Sequence, residues 1–315
     1  MMRKLLPTLA VLLPLLFLHG PARAADDCSA PPPAPSVTAK SKPDHGMLWR
    51  ISRDGHSSYL YGTLHLGRSE WLVPGPGLTK AWAETQVLAT EVDMSDPAAL
   101  SASISAAKKD DLPAAKFTPA QAQQLMAAVT AACVPAAYVT ALSSEHPILQ
   151  LTTLSALMAK RDGLEIGFGQ DFVLTSLAVN NHRPVVGLET AAEQMKALTT
   201  ASPADMATMI NESLKELEDK ASRQAMVKLS VAWADGDLDT LAHYEQWCNC
   251  ANSPAAREWL RRLNDGRNGP LAERIAALHA KGKPALVAVG ALHMTGPKAL
   301  PTLLAAQGFK VERIH

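Results

Sequence analysis

The sequence predicts an α/β fold: a central mixed sheet flanked by helices, in two pseudo-repeated halves, with a helical insertion in the middle. Three observations predict it. Strand-like segments alternate with helical ones towards both ends of the chain, the pattern that pairs strands in one sheet and lays helices on its faces. The stretch 203–247 is almost entirely helical in pattern, with a break near Asp235-Gly236. Apolar mass is carried by Ala, Leu and Val, with aromatic residues at only 5%; small apolar side chains suit helices on a sheet better than a sandwich.

The elements follow in order. Leu48 to Ser52 reads as a strand, Asp54-Gly55 as a turn, and Ser58 to Tyr61 resumes the extended pattern, which makes a β-hairpin closing on Gly62-Thr63-Leu64-His65. A short helix spans 78–84 and a strand 86–92. Helices are expected at 97–107 and 118–133, the second opening with Thr118-Pro119, a cap followed by proline at the first helical position. Further helices run from His146 to Lys160 and from Gln170 to Asn181. A strand covers 183–189, and Thr190 with Glu193 three residues on makes a capping box for the next helix. Helices at 254–263 and 270–281 precede an apolar strand, 284–290, continuous enough to be buried on both faces. The chain closes with a helix at 297–307, ended by Gly308, and a strand at 309–314.

Residues 1–24 are expected to leave the chain. Arg3 and Lys4 precede an apolar run from Leu5 to Leu18, and Ala22-Arg23-Ala24 offers small residues where a signal peptidase reads. The run is shorter than a bilayer span and is broken by Pro7 and Pro14, so a cleaved export signal is the reading. A periplasmic or secreted protein with no stable membrane insertion follows. Residues 25–45, with PPPAP, read as a Pro-rich disordered tether, and 46–315 as one folded domain. The full chain balances 30 basic against 30 acidic residues; loss of Arg3, Lys4 and Arg23 leaves a charge of −3. That argues against a nucleic-acid partner, which calls for a basic surface. Cys28, Cys133, Cys248 and Cys250 remain, an even count that in an exported protein predicts two disulfides. Cys248 and Cys250, one residue apart, are expected to pair elsewhere rather than with each other. A metal site made by His243 and this C-x-C is the sharper alternative.

Four polar residues follow predicted strands: His65, Glu91, Glu189 and His293. In open α/β sheets ligands bind outside the carboxyl ends of the strands, so residues far apart in sequence can meet there. Two imidazoles with one or two carboxylates make a competent set for a divalent ion such as Zn²⁺ or Mn²⁺. Gly62 and Gly290, three residues before each histidine, let backbone approach a ligand closely. A lone strand-end histidine or glutamate is usually structural; two G-x-x-H segments, each closing a strand, with strand–Glu twice between them, are what set this group apart. That echo also suggests two half-domains facing each other. His279 is read as lying on a solvated helix.

These segments resemble the TraB/GumN family, which includes the Tiki-type metalloproteases. The likeness rests on YLYGTLH (59–65), VLATEVD (87–93), GQD (169–171), VVGLETAAEQ (185–194), RN (267–268), VAVGALHMTG (287–296) and LLAAQGFKVERI (303–314). The resemblance implies a two-half α/β fold, a site between the G-x-x-H motifs, and metal-dependent hydrolysis of a peptide or protein. No H-E-x-x-H helix, G-x-S-x-G elbow or P-loop is present, so hydrolysis by a standard zincin, a serine hydrolase or an NTPase is unsupported.

The expectation is an exported hydrolase using a divalent metal (Zn, Mn or Co) held by His65, His293 and Glu91. Glu189 is the expected general base, with the roles of Glu91 and Glu189 open to exchange. Arg267 is expected to orient a carboxylate or stabilise an oxyanion, Asp171 to hold Arg267 or orient a histidine, and Asn268 and Gln194 to support them. Two other readings stand beside it: a non-catalytic binder of a peptide or glycan, and metal-free hydrolysis with a histidine base, as in erythromycin-esterase-like enzymes.

Overall fold

The computed structural model describes residues 43–106 and 116–315. The expected export signal, Cys28 and nearly all of the expected tether lie outside the described residues. Six strands form one sheet: β1 (Met47–Arg53), β2 (His56–Thr63), β3 (Val87–Thr90), β4 (Val185–Gly187), β5 (Ala285–Gly290) and β6 (Lys310–Arg313). Between β2 and β3 lies α1 (Pro76–Glu84). Between β3 and β4 lie α2 (Pro97–Ala106), α3 (Pro119–Ala131), α4 (Ala136–Ser144), α5 (Pro147–Met158) and α6 (Gln170–Asn180). The long connection from β4 to β5 carries α7 (Ala191–Thr199), α8 (Pro203–Glu218), α9 (Ala221–Ala234), α10 (Leu238–Ala242), α11 (Tyr244–Trp247), α12 (Pro254–Leu263) and α13 (Asp265–His279), and α14 (Leu300–Ala306) precedes β6. No described helix is long and apolar enough to cross a membrane.

The strand order is β4-β3-β5-β2-β1-β6. β4, β3, β5 and β2 are mutually parallel, whereas β1 is antiparallel to both β2 and β6. The hydrophobic pattern explains this division. β5 is central and apolar throughout, with Ala285 to Val289 all buried, as a strand covered on both faces must be. β1 and β2 are joined by a tight Asp54-Gly55 turn, both residues at positive φ (54° and 82°), which leaves them only the antiparallel option. A core on the sheet is built from residues such as Leu60, Leu88, Leu286 and Trp233. A second, all-helical core gathers α3, α5 and α8 through Leu125, Ile148, Leu154, Met209 and Leu214, where the sequence predicts the helical insertion.

Several expectations change in the folded chain. The tail of the tether is held: the Asp44 carboxylate accepts the Gly77 and Leu78 amides at the start of α1, and Tyr61 donates to the His45 carbonyl at 2.9 Å. α13 starts at Asp265 and runs through Pro270, forgoing one backbone bond, so Arg267 and Asn268 are helical rather than in the loop before the helix. His279 is buried, not solvated: its Nε2 donates to the Arg53 carbonyl and its Nδ1 accepts from Ser58, each at 3.0 Å, while its ring stacks on His56. Cys248 and Cys250 are bonded to each other, against expectation. The intervening Asn249 takes a left-handed φ of 56° and brings their Cα atoms to 5.1 Å, inside disulfide range. Cys133 is disulfide-bonded as well, and no free cysteine remains among the described residues. With both C-x-C sulfurs oxidised and His243 Nδ1 donating to the Asp239 carbonyl at 2.8 Å, the His243 metal site does not form.

Candidate functional site

Four neighbouring strands run parallel, so their carboxyl ends lie along one edge of the sheet. That topology delivers the sequence-predicted residues in the order Glu189 after β4, Glu91 after β3, His293 after β5 and His65 after β2. The register is tight: Thr90 pairs with Gly187 and Ala288, and Thr63 pairs with Gly290. The Glu189 amide donates to the Glu91 carbonyl at 2.8 Å, continuing the ladder past the strand ends.

Glu91 is the hub. Its Oε1 accepts the Gly290 backbone N–H at 2.8 Å and lies 3.6 Å from Nε2 of His293. Its Oε2 accepts from Arg267 Nη2 at 2.5 Å and from the Gln194 amide at 3.1 Å. Glu189 shares both donors: Arg267 donates to its two oxygens, and Gln194 reaches Oε1 at 3.2 Å. Arg267 therefore bridges two buried carboxylates, where a planar fork of donors suits the geometry and a lysine does not. Gly290 leaves little room here: a Cβ on it would stand 3.2 Å from Glu91 Oε1, so the carboxylate would have to shift by a few tenths of an ångström. Gly62 packs equally closely, with a Cβ position 3.2 Å from the Ala291 backbone.

Each histidine is oriented by an oxygen on its Nδ1. His65 Nδ1 donates to Asp171 at 2.8 Å, with Asp171 delivered by the first turn of α6. His293 Nδ1 donates to Asn268 Oδ1 at 2.5 Å, and Asn268, fully buried on α13, donates back to the His293 and Lys298 carbonyls. Of the two expected roles for Asp171, it takes the second: it holds His65, not Arg267.

The surroundings divide these groups electrostatically. Burial acts to raise the Glu91 carboxyl, but the Arg267 charge, helped by His65 and the Gly290 amide, outweighs it and holds Glu91 well below the usual carboxylate range. Glu189 moves the other way, raised by burial despite Arg267. Burial pushes His293 down to about 4, keeping it neutral. Asp171 lifts His65 to about 9, an effect softened by solvent because 70% of that side chain is exposed.

His65, Glu91, Asp171 and Gln194 line a crevice of about 690 Å³. His293 and Glu189 are buried behind it, their side chains 4% and 5% exposed, and Arg267 is nearly as enclosed. Sequence reasoning missed the rest of the lining, including Thr63, Thr90, Phe172 and Val179. Phe172 and Val179 lie on one face of a helix, a spacing visible in the sequence, but nothing in a sequence says that such a face stays uncovered.

The donor chemistry suits a divalent cation: with Nδ1 of each ring committed to an oxygen, Nε2 carries the free lone pair of a neutral imidazole, the second-sphere arrangement typical of metal-binding histidines. Among the described residues, however, no three such side chains are gathered closely enough to hold an ion. Arg267 already occupies one oxygen of Glu91, and His65 has to release a proton before it can ligate.

A mixed sheet with imidazoles and ion-paired carboxylates at the ends of its parallel strands defines the class: an α/β protein with a polar crevice at the sheet edge. Residues 47–313 match the TraB/PrgY/gumN family, and the chain belongs to that family. No curated protein and no solved structure matches it.

Proposed function

We propose that the protein is an exported hydrolase of peptide bonds, acting in this crevice with a divalent ion (zinc, manganese or cobalt) held by His65, His293 and Glu91. One observation carries the reading: the two histidines follow adjacent parallel strands, and each has its Nδ1 fixed by a partner on a different helix. When bound, such an ion supplies Lewis-acid polarisation of a carbonyl and makes water a stronger acid. The chain's own residues do the rest. Asp171 and Asn268 hold the rings. Arg267 keeps Glu91 ionised, as a ligand must be. Glu189, one layer back with its carboxyl raised, is the member of the pair suited to store and return a proton. Gln194 spaces the two carboxylates. We also read the two strand–G-x-x-H segments as counterparts in two related halves, and the export signal as placing the protein in the periplasm or outside the cell.

The test is metal content and peptide hydrolysis on the wild type and four single variants. His65→Ala and His293→Ala should lose ion and turnover together. Glu189→Gln should keep the ion while turnover falls about 10²–10⁴-fold, and Glu91→Gln should weaken the ion. A wild type that binds no zinc, manganese or cobalt, with variants that behave like it, overturns the proposal. The exposed His65–Asp171 pair favours one second reading, metal-free hydrolysis with His65 moving the proton; full turnover in the presence of a chelator would select it. A crevice that binds peptide without turnover would be a binding site only.

A further inference from the structure

The crevice extends beyond the polar groups, beneath α6, which packs across β3, β4 and β5. Its floor there is formed by Thr63, Ala288 and Thr90, from β2, β5 and β3. The register places all three on the same face of the sheet, since Tyr61 and Thr90 both pair with Ala288 and Thr63 lies two residues past Tyr61. All three are short, which leaves depth above them. The wall is apolar. Phe172 and Val179 stand two turns apart on α6, exposed by 58% and 51%, and Met94 and Ile166 add 47% each. An apolar cluster this exposed, continuous with a polar site, marks a place where something binds. Among the described residues no lysine or arginine lines the crevice, and the cationic side chain that does, His65, is already paired with Asp171. At its polar end Glu91 is committed to Arg267, and Asp171 is paired with His65 through Oδ2 alone. Thr63 supplies a second, independent sign. It is 1% exposed, lines the crevice, and its hydroxyl has no hydrogen-bond partner; a buried hydroxyl is costly until something bonds to it.

We propose that this part of the crevice is the subsite for an uncharged, apolar residue of a peptide substrate, with the side chain against Phe172 and Val179 and the backbone amide on the Thr63 hydroxyl, which is closed off from solvent in the free protein and turns into the crevice by rotation about χ1. A peptide offers both features, an amide to satisfy Thr63 and an apolar side chain to cover α6. The inference rests on the peptide-hydrolase reading for the position of the attacked bond, but the subsite itself is a matter of binding.

The experiment is isothermal titration of the full chain with blocked peptides Ac-Ala-Xaa-Ala-NH₂, where Xaa is Phe, Leu, Gly, Glu or Lys. The Phe and Leu peptides should bind about 10–100-fold more tightly than the Gly, Glu and Lys peptides. Val179→Asp and Phe172→Asp, both at exposed positions, should erase that preference while leaving the melting temperature unchanged. Thr63→Val should weaken the Phe, Leu and Gly peptides alike, by about 2–10-fold. A dissociation constant independent of Xaa, tighter binding of Glu or Lys, no binding of any peptide, or a preference kept by Val179→Asp overturns the proposal. If the preference is present but no peptide is cut, the subsite stands and the hydrolase reading falls. If peptides are cut equally whatever Xaa is, the hydrolase reading stands and the subsite falls.

Discussion

Arg267→Met tests the ion-pair core of the site directly. Methionine keeps most of the arginine stem and removes the charge. The side chains of Arg267, Glu91 and Glu189 are only 14%, 10% and 5% exposed, so these are buried pairs, and stripping one partner leaves charge in a poor environment. Loss of a buried partner costs about 3–5 kcal/mol. The two carboxylates are unequal in what remains: Glu91 keeps the Gly290 amide and Gln194, whereas Glu189 keeps the Gln194 amide. The pH dependence should also reverse. In the wild type Glu91 is depressed below its unfolded value near 4.5, so its contribution is present above that pH and is lost as pH falls further. Without Arg267, burial dominates both carboxyls and their folded values lie above the unfolded one. Stability is then greatest in acid and declines as pH rises. Urea unfolding at pH 7.5 and pH 5 should therefore show a gap between wild type and variant of about 3–5 kcal/mol at the higher pH and a clearly smaller one at the lower. Adding Glu189→Gln to the variant should recover part of the loss at pH 7.5. A gap below about 1 kcal/mol, or one equal at both pH values, would show that Arg267 does not hold the pair in solution.

Gly169→Ala should loosen the site from a distance: a Cβ there would stand 2.5 Å from the His65 carbonyl oxygen, displacing the start of α6 and with it Asp171, at about 1–3 kcal/mol. Two-dimensional NMR of the His65 ring should then show its pKa falling towards the ordinary imidazole range, and an unshifted titration refutes the link. Glu216 is raised to about 7 by burial and by Glu212, so the folded state holds its proton after the unfolded state has released it. Stability should decline between pH 4.5 and 7 by about 1–2 kcal/mol, since solvent screening at this half-buried side chain reduces the full effect, and Glu216→Gln should remove that slope in pH-dependent chemical unfolding. The protein, unfolded without reductant, should give no thiol with a colorimetric reagent, whereas four free thiols would refute oxidation. Replacing Cys248 and Cys250 together by Ser should cost only about 1.5 kcal/mol, since so short a closed loop removes little chain entropy.

Much of the local structure was written in the sequence, because it depends on neighbours along the chain. The Asp54-Gly55 turn, the Thr118-Pro119 cap, the capping box at Thr190–Glu193 and the unbroken apolar run of β5 are recognisable from spacing alone, and the elements beside those signals fall where they put them, whereas α4 was not foreseen and α13 starts earlier than expected. The strand-end positions of His65, Glu91, Glu189 and His293 were legible for the same reason. Tertiary structure decided what those residues do to one another. Arg267 reaches Glu91 across 176 positions of chain, and no local pattern encodes whether it meets a carboxylate, a ligand or water. His279 looked solvated because its helix has a polar face; the β-hairpin packing onto it buried the ring. The Cys248–Cys250 bond turned on one left-handed residue, Asn249, a backbone choice that its sequence permits but does not dictate. The parallel order of β4, β3, β5 and β2 is the decisive case. Periodicity gives each strand its faces but not its neighbours, and the neighbours set all four strand ends on one edge and opened the crevice beside them.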